Sequence, residues 1–309
     1  LIAANGTDID ANTSNISANG TDISTNTTNI STNTSDVDDN ALALSLLSAD
    51  VVTNAAAITT NEDDISTIDT AIDGVEDLMY YVVVSTDDDT VSFSGANVLV
   101  NDGTGNTTGT VNGLGNLIVG YDEGESSDLK TGSHNLIVGD KHSYTGYGGI
   151  IAGQQHTSDG NYLALIGGQK NEASADYSGT LAGTLNTVSA KWAAAVAGSS
   201  NSVSGEKSVA AGSYTTTVSG INAGSLGGND NDASGNYAVA VGGEQGDATG
   251  NNSALLGGKL NTASQNYTVV VGGQSSEAAA NLAAVVGSDN ASVTGANSII
   301  VGGKTNRIT

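Results

Sequence analysis

Residues 231–305 read NDASGNYAVAVGGEQ, GDATGNNSALLGGKL, NTASQNYTVVVGGQS, SEAAANLAAVVGSDN and ASVTGANSIIVGGKT, consecutive units of fifteen residues. Each unit carries two short strand-like segments separated by turn residues, and the second runs into glycine, as in YAVAVGG at 237–243 and NSIIVGG at 297–303. Fifteen residues are too few for a strand plus a crossover helix. They fit one coil of a parallel β-solenoid with two short strands and two corners. Glycine at a corner supplies positive φ or room for a close backbone approach. The apolar strand ends in glycine at 120, 139, 153, 167, 183, 198, 212, 227, 242, 257, 272, 287 and 302. The intervals are 19, 14, 14, 16, 15 and 14, and then six of 15. The insert 121–134, YDEGESSDLKTGSH, makes the longest interval and is expected to bulge as a loop. The strands are apolar on both faces. One face fills the interior, which must be narrow because Ala and Val are small, and the other requires a second buried surface.

The N-terminal quarter has a different period. Aliphatic residues recur every seven positions from Ile2 through Ile9, Ile16, Ile23, Ile30, Val37, Leu44, Val51, Ile58, Ile65 and Ile72 to Met79. Three residues after each stand Asn5, Asn12, Asn19, Asn26, Asn33, Asn40, Leu47, Asn54, Asn61, Ile68, Val75 and Val82. This is an a/d heptad pattern sustained long enough for a coiled coil. Helix propensity is poor in the Thr-, Ser- and Asn-rich first forty residues, so association must make the helix. No Lys or Arg precedes position 130, so e/g salt bridges cannot choose the partner and the a/d layers must do so. Asparagine at d is costly unless its amide is paired. In a three-stranded coil three amides converge on the axis, where they surround an anion or water and fix register.

The heptads IDANTSN, ISTNTTN and ISTNTSD are similar to the stalk repeats of trimeric autotransporter adhesins, Ile/Val-x-x-Asn-Thr, although Asn5 and Asn19 are followed by Gly. The resemblance implies chloride bound at Asn5, Asn12, Asn19, Asn26, Asn33, Asn40, Asn54 and Asn61. Residues 116–309 resemble the YadA-like head of the same adhesins, a left-handed parallel β-roll trimer, and similar modules of phage tail fibres. NLIVG at 116–120 and 135–139, with YAVAVGG and NSIIVGG, carry that resemblance. The adhesins place the head before the stalk and end in a membrane barrel, whereas here the heptads come first. That order favours N-terminal attachment to a larger assembly or filament, or a product trimmed of a C-terminal segment. The expected division is a coiled-coil stalk at 1–79, a β connector at 80–115 with short strands in TVSFSG and NVLVND, and a β-roll at 116–309.

Composition excludes other classes. The 309 residues include 42 Gly, no Cys, no Pro and one each of Met, Phe and Trp, too few bulky core formers for an ordinary globular enzyme. Residues 1–129 hold 22 of the 33 acidic residues and no Lys or Arg, a sum of −22; residues 130–309 sum to 8 − 11 = −3. A net charge of −25 argues against nucleic acid and anionic lipid as partners. The longest unbroken apolar run, Leu78 to Val84, is too short to span a membrane. No basic-then-apolar leader opens the chain, so the expectation is that any signal segment was removed or never existed.

Candidate chemistry is thin. DNDASG at 230–235 opens like a calcium loop, but Val241 stands where the closing Glu belongs, and it is read as a turn. No nucleophile–His–Asp set, P-loop or close carboxylate pair at a cleft emerges, so catalysis is not expected, and no metal site is assigned. His142 and His156 each follow a corner glycine by three residues and should stack on adjacent coils; an exposed corner pair is the plain reading and a metal or pH-sensitive patch the sharper one. Positions 147, 162, 177, 192, 207, 222, 237, 252, 267, 282 and 297 form one register holding Tyr147, Tyr162, Tyr177, Trp192, Tyr237 and Tyr267, six of the twelve aromatic residues. They should form a ladder down one edge, either binding a glycan or receptor or sealing a seam between protomers. The site expected on this reading is Tyr162, Tyr177, Trp192, Tyr237 and Tyr267, with His142 and His156 nearby. The expected function is a homotrimeric extracellular fibre for adhesion or receptor binding, on a cell-surface appendage or virion; the alternative is a structural filament subunit without its own ligand.

Overall fold

The computed structural model describes the backbone of all 309 residues and every side chain except those of Asp77 and Leu78. The chain divides into two compact units, Leu1–Val98 and Leu99–Thr309.

The first unit is an 80-residue helix, α1 (Ile2–Tyr81), followed by an antiparallel hairpin of β1 (Val82–Ser85) and β2 (Thr90–Phe93). The threonines that weaken helices in isolation are accommodated locally. The hydroxyls of Thr13, Thr27 and Thr34 each donate to the carbonyl four residues back at 2.8 Å, so they do not compete for other backbone groups. The a positions are bare within the chain: Ile9 is 64 % exposed and Ile16 71 %. A helix that leaves a regular aliphatic seam in water lacks the packing that supplies most helical stability. Among the described residues α1 is also the one helix long and apolar enough to cross a membrane by length and composition. A search for unbroken apolar runs misses this, because Asp50 and Asn54 interrupt its most apolar stretch, ALALSLLSADVVTNAAAI at 41–58. The heptad continues through that stretch in Leu44, Val51 and Ile58.

The segment NVLVND (97–102) forms no strand, and Thr90–Phe93 pairs back on Val82–Ser85 instead. An extended segment becomes a strand only where a neighbour completes its hydrogen bonds. Among the described residues of its own chain, NVLVND meets no such neighbour.

The second unit is a parallel β-roll. Long strands, beginning with β3 (Leu117–Val119), stack into a 13-stranded sheet, and short strands, beginning with Ser143–Tyr144, stack into a 12-stranded sheet. Each coil after the first contributes one strand to each, so neighbours in a sheet are one coil apart, as in Ala240↔Leu255 and Ala248↔Ala263. The middle residue of the long strand points inward: Ile137, Ile151, Leu165, Ala195, Leu255 and Val270 are all at most 1 % exposed. The second residue of the short strand meets it from the other side, as Ala173, Val188, Val203 and Ala233 do, each 0 % exposed. With so few side-chain layers the interior is narrow, which is why Ala and Val suffice.

The irregular glycine spacing disappears in the structure. From Ala164 onward the long strands repeat every fifteen residues, through Gly179, Ala194 and Val209. The corner at 182 and 197 is occupied by alanine with φ 61° and 58°, where later coils have Gly242 and Gly257 with φ 61° and 65°. The conformation recurs; the glycine does not. The next position is tighter: a Cβ on Gly243 would lie 2.8 Å from the Gly258 carbonyl oxygen, so coils stack there backbone on backbone. The insert 121–134 loops out as expected, with Tyr121 92 % exposed, and is tied back by a Lys130–Asp122 ion pair of 3.1 Å.

Candidate functional site

Each regular coil turns its first corner just before the long strand, at the register that holds the aromatic residues. Tyr162, Tyr177, Trp192, Tyr237 and Tyr267 have φ of 57°, 59°, 58°, 59° and 60°, so these five rings stand on left-handed backbone. The coils carry these side chains one above another at the strand spacing. Tyr162 and Tyr177 stack at 5.2 Å between centroids with 7° between planes, and Tyr177 and Trp192 at 6.2 Å with 11°. Tyr147 meets Tyr162 edge-on at 5.2 Å.

Two ammonium groups lie over this stack. Lys191 Nζ is 5.7 Å from the Tyr177 centroid and 5.4 Å from that of Trp192, and Lys207 Nζ is 5.1 Å from Trp192. Both are compensated, Lys191 by Asp176 at 3.7 Å and Lys207 by Glu206 at 3.0 Å. The rings remain accessible, Tyr177 at 49 % and Trp192 at 50 %. They wall a groove of about 370 Å³ whose floor is the outward face of the long strands, including Ile166, Leu181 and Val196. Such a site offers apolar and aromatic surface with paired charge at its rim and no acid–base couple.

The ladder is not continuous. Asn222 and Asn252 interrupt the register, and among the described residues neither Tyr237 nor Tyr267 has a ring in stacking range. The structure therefore brings together Tyr162, Tyr177 and Trp192, with Tyr147 added, and leaves Tyr237 and Tyr267 as single exposed rings.

His142 and His156 are not exposed corner residues. Both are 1 % exposed and line the opposite, inner corner of the coil, their rings stacked at 5.4 Å and 18°. The same register continues as Asn171, Asn186, Asn201, Thr216 and Asn231. It forms a buried ladder in which the imidazole and amide side chains accept from the backbone of the next coil, while the Thr216 hydroxyl is buried without a partner. His156 N–H donates to His142 Nδ1 at 3.2 Å, Asn171 N–H to His156 Nδ1 at 3.1 Å, and Asn186 N–H to Asn171 Oδ1 at 3.0 Å. The asparagine amides also donate to corner carbonyls, as Asn201 Nδ2 does to Ser213 at 2.9 Å. Burial depresses both histidines below the ordinary imidazole value, His156 to about 4, with the neighbouring His142 adding to the effect.

Two further groups escaped the sequence reading. Tyr144, 2 % exposed, fills the interior of the first short strand and donates from its hydroxyl to Asp122 Oδ2 at 3.2 Å. Burial, then the Asp122 charge, pushes its phenol up to about 12. Strict in–out alternation at Ser143–Tyr144 is the signal that places it inward. Asp102 accepts from Thr104 N–H at 2.9 Å and from the Thr104 hydroxyl at 2.7 Å, which hold its carboxyl below the usual range. His134 Nε2 is 3.6 Å from the same carboxylate, and the pair closes the loop 101–109.

The d-position asparagines from Asn5 to Asn61 lie at regular spacing on α1 and are exposed within the chain. Among the described residues no group of three or more His, Cys, Asp or Glu side chains is arranged to hold a metal ion. Comparison with protein-family models and with curated proteins finds no match.

Proposed function

We propose that this chain is one protomer of a homotrimeric extracellular fibre that adheres to a surface receptor or glycan through the stacked rings of the roll. The observation that carries the reading is the Tyr162–Tyr177–Trp192 stack: aromatic surface held about half exposed beside an apolar groove. Association is supported by two bare apolar faces. One is the heptad seam of α1. The other is the outward side of the long-strand sheet, where Leu226 is 48 % exposed and Leu256 42 %. Self-association that covers both faces removes a contiguous apolar surface that a soluble monomer does not tolerate. The apolar stretch at 41–58 belongs on this reading to a coil core, because the a/d spacing runs through it and Asp50 lies within it.

The likeness to trimeric adhesin stalks supports three strands, with the Asn layers from Asn5 to Asn61 holding chloride on the axis. Threefold symmetry repeats each weak contact and gives avidity. The acidic stalk acts as a solvated spacer attached at its N-terminal side. The protein is not an enzyme on this reading, and takes neither nucleic acid nor a membrane span as partner.

The second reading, a filament subunit without its own ligand, is favoured by the groove itself. Its floor is the face that self-association would cover, so the rings would then seal a seam. Replacing Tyr177 and Trp192 with Asn, the residue found at 222, 252 and 297 of the same register, separates the two. Attachment to the natural target surface is expected to be lost while trimer melting holds. Intact attachment with a collapsed melting temperature would return the rings to the seam.

A further inference from the structure

The inner-corner ladder is asparagine through much of the roll and histidine only at its start. An asparagine there does not titrate. A histidine in the same place does, and its position depends on the neutral ring. In both His142 and His156, Nδ1 accepts a backbone N–H from the next coil, so the proton sits on Nε2. His142 Nε2–H donates to the Val138 carbonyl at 3.2 Å, whereas His156 Nε2 is buried with no partner. A Cβ on Gly153 would lie 2.4 Å from that Nε2, so this edge of the ring is packed against the Gly153 backbone. Protonation puts a hydrogen on Nδ1, turns each acceptor into a donor facing a backbone N–H, and sets two cations 5.4 Å apart.

We propose that His142 and His156 make the first coils of the roll an acid-labile clasp, which opens when the rings are protonated while the asparagine-cornered coils behind it stay wound. The surrounding charges do not reverse this. Asp122 is engaged by Lys130 and by the Tyr144 hydroxyl. Asp140, Lys141, Lys170, Glu172 and the insert residues Glu125 and Asp128 surround the pair with mixed sign. The folded-state value of each histidine is depressed, so the neutral ring is the form that folding selects. Stability from this source is whole above the unfolded value of about 6.5, falls as pH drops below it, and levels off near 4 for His156. The clasp is independent of what the roll binds.

The test uses the full chain and hydrogen exchange at the Asn171 amide, corrected for intrinsic rate, with imidazole resonances followed in parallel. With a folded-state value near 4, His156 alone raises local opening roughly 40-fold between pH 6.5 and 4.5. Amides in the coils around Asn201 should change far less. The variant H142N/H156N carries the residue of the later coils, keeps the acceptor and should flatten the pH dependence. An unchanged pH dependence in that variant would assign the lability to the insert carboxylates and overturn the proposal. If the double variant does not fold, the wild-type titration decides alone: rings that titrate near 6.5 while the Asn171 amide stays protected also overturn it.

Discussion

Asn201→Ala tests whether the buried amide ladder, and not only the apolar interior, holds the coils in register. Asn201 is 1 % exposed. Its Oδ1 accepts from the Thr216 N–H at 3.1 Å, and its Nδ2 donates to Asn186 Oδ1 at 3.0 Å and to the Ser213 carbonyl at 2.9 Å. Truncation does not orphan all of these partners. Asn186 Oδ1 keeps the Asn201 backbone N–H, and the Ser213 carbonyl keeps the Ser199 N–H. The Thr216 N–H alone loses its acceptor inside the roll. An orphaned buried donor costs about 1–3 kcal/mol. A solenoid opens coil by coil, so the cost should appear locally. At about 2 kcal/mol, hydrogen exchange at the Thr216 amide should accelerate roughly 30-fold, since about 1.4 kcal/mol is a factor of ten. Ser202→Ala, one residue away and exposed, should stay within about 0.5 kcal/mol. Asn201→Asp keeps the acceptor but faces a carboxylate towards Asn186 Oδ1 and the Ser213 carbonyl, so at neutral pH it should be worse than Ala. Equal exchange at Thr216 in Asn201→Ala and Ser202→Ala would refute the reasoning.

Two other outcomes bear on the interior and the stalk. Leu255→Ala removes the largest side chain of its stretch of core, 1 % exposed between Ala240 and Val270, and should cost about 2–5 kcal/mol by urea unfolding; a loss under about 1 kcal/mol would mean the narrow roll collapses around the gap. Replacing Asn26 and Asn33 with Ile should abolish the halide sites proposed at those layers, read by anomalous scattering from bromide, and relax strand register. Unchanged halide peaks would sink the axial-anion argument.

Both repeats could be read directly from the residues, because each is written in side chains that face one way. The heptad from Ile2 to Met79 marks a helix that the structure extends to Tyr81. The fifteen-residue unit marks a parallel coil with two strands. Glycine proved a poor ruler for the early coils. Ala182 and Ala197 take the left-handed corner that glycine takes later, so counting glycines displaced the boundary by one residue. The inner corner was hidden for a different reason. Polar residues at 171, 186 and 201 look like exposed turn residues until the next coil is stacked on them, when their amides become the acceptors that coil requires. The histidines were misjudged with them. The aromatic register was visible, but its backbone was not, since nothing in the letters Tyr and Trp announces positive φ.

That backbone bears on what the rings are for. Left-handed φ costs a bulky L-residue on the order of 1–2 kcal/mol, and asparagine tolerates it better. The chain uses asparagine at 222, 252 and 297 of this register, so a milder choice was open at 177 and 192. The rings recover part of the cost from one another. Each of the pairs Tyr162–Tyr177 and Tyr177–Trp192 contributes about 0.5–1.5 kcal/mol. The lysines, already paired with Asp176 and Glu206, add at most about 1 kcal/mol each at exposed sites. Strain and stacking therefore nearly cancel within one chain. Exchanging Tyr177 and Trp192 for Asn should leave the stability of the isolated roll within about 2 kcal/mol of its starting value. Stability selected for its own sake does not explain rings on this backbone; the contact with something outside the chain proposed above would. If that something is another protomer, the double variant melts far earlier as an assembly. If it is a receptor or glycan, the assembly melts as before and attachment is lost.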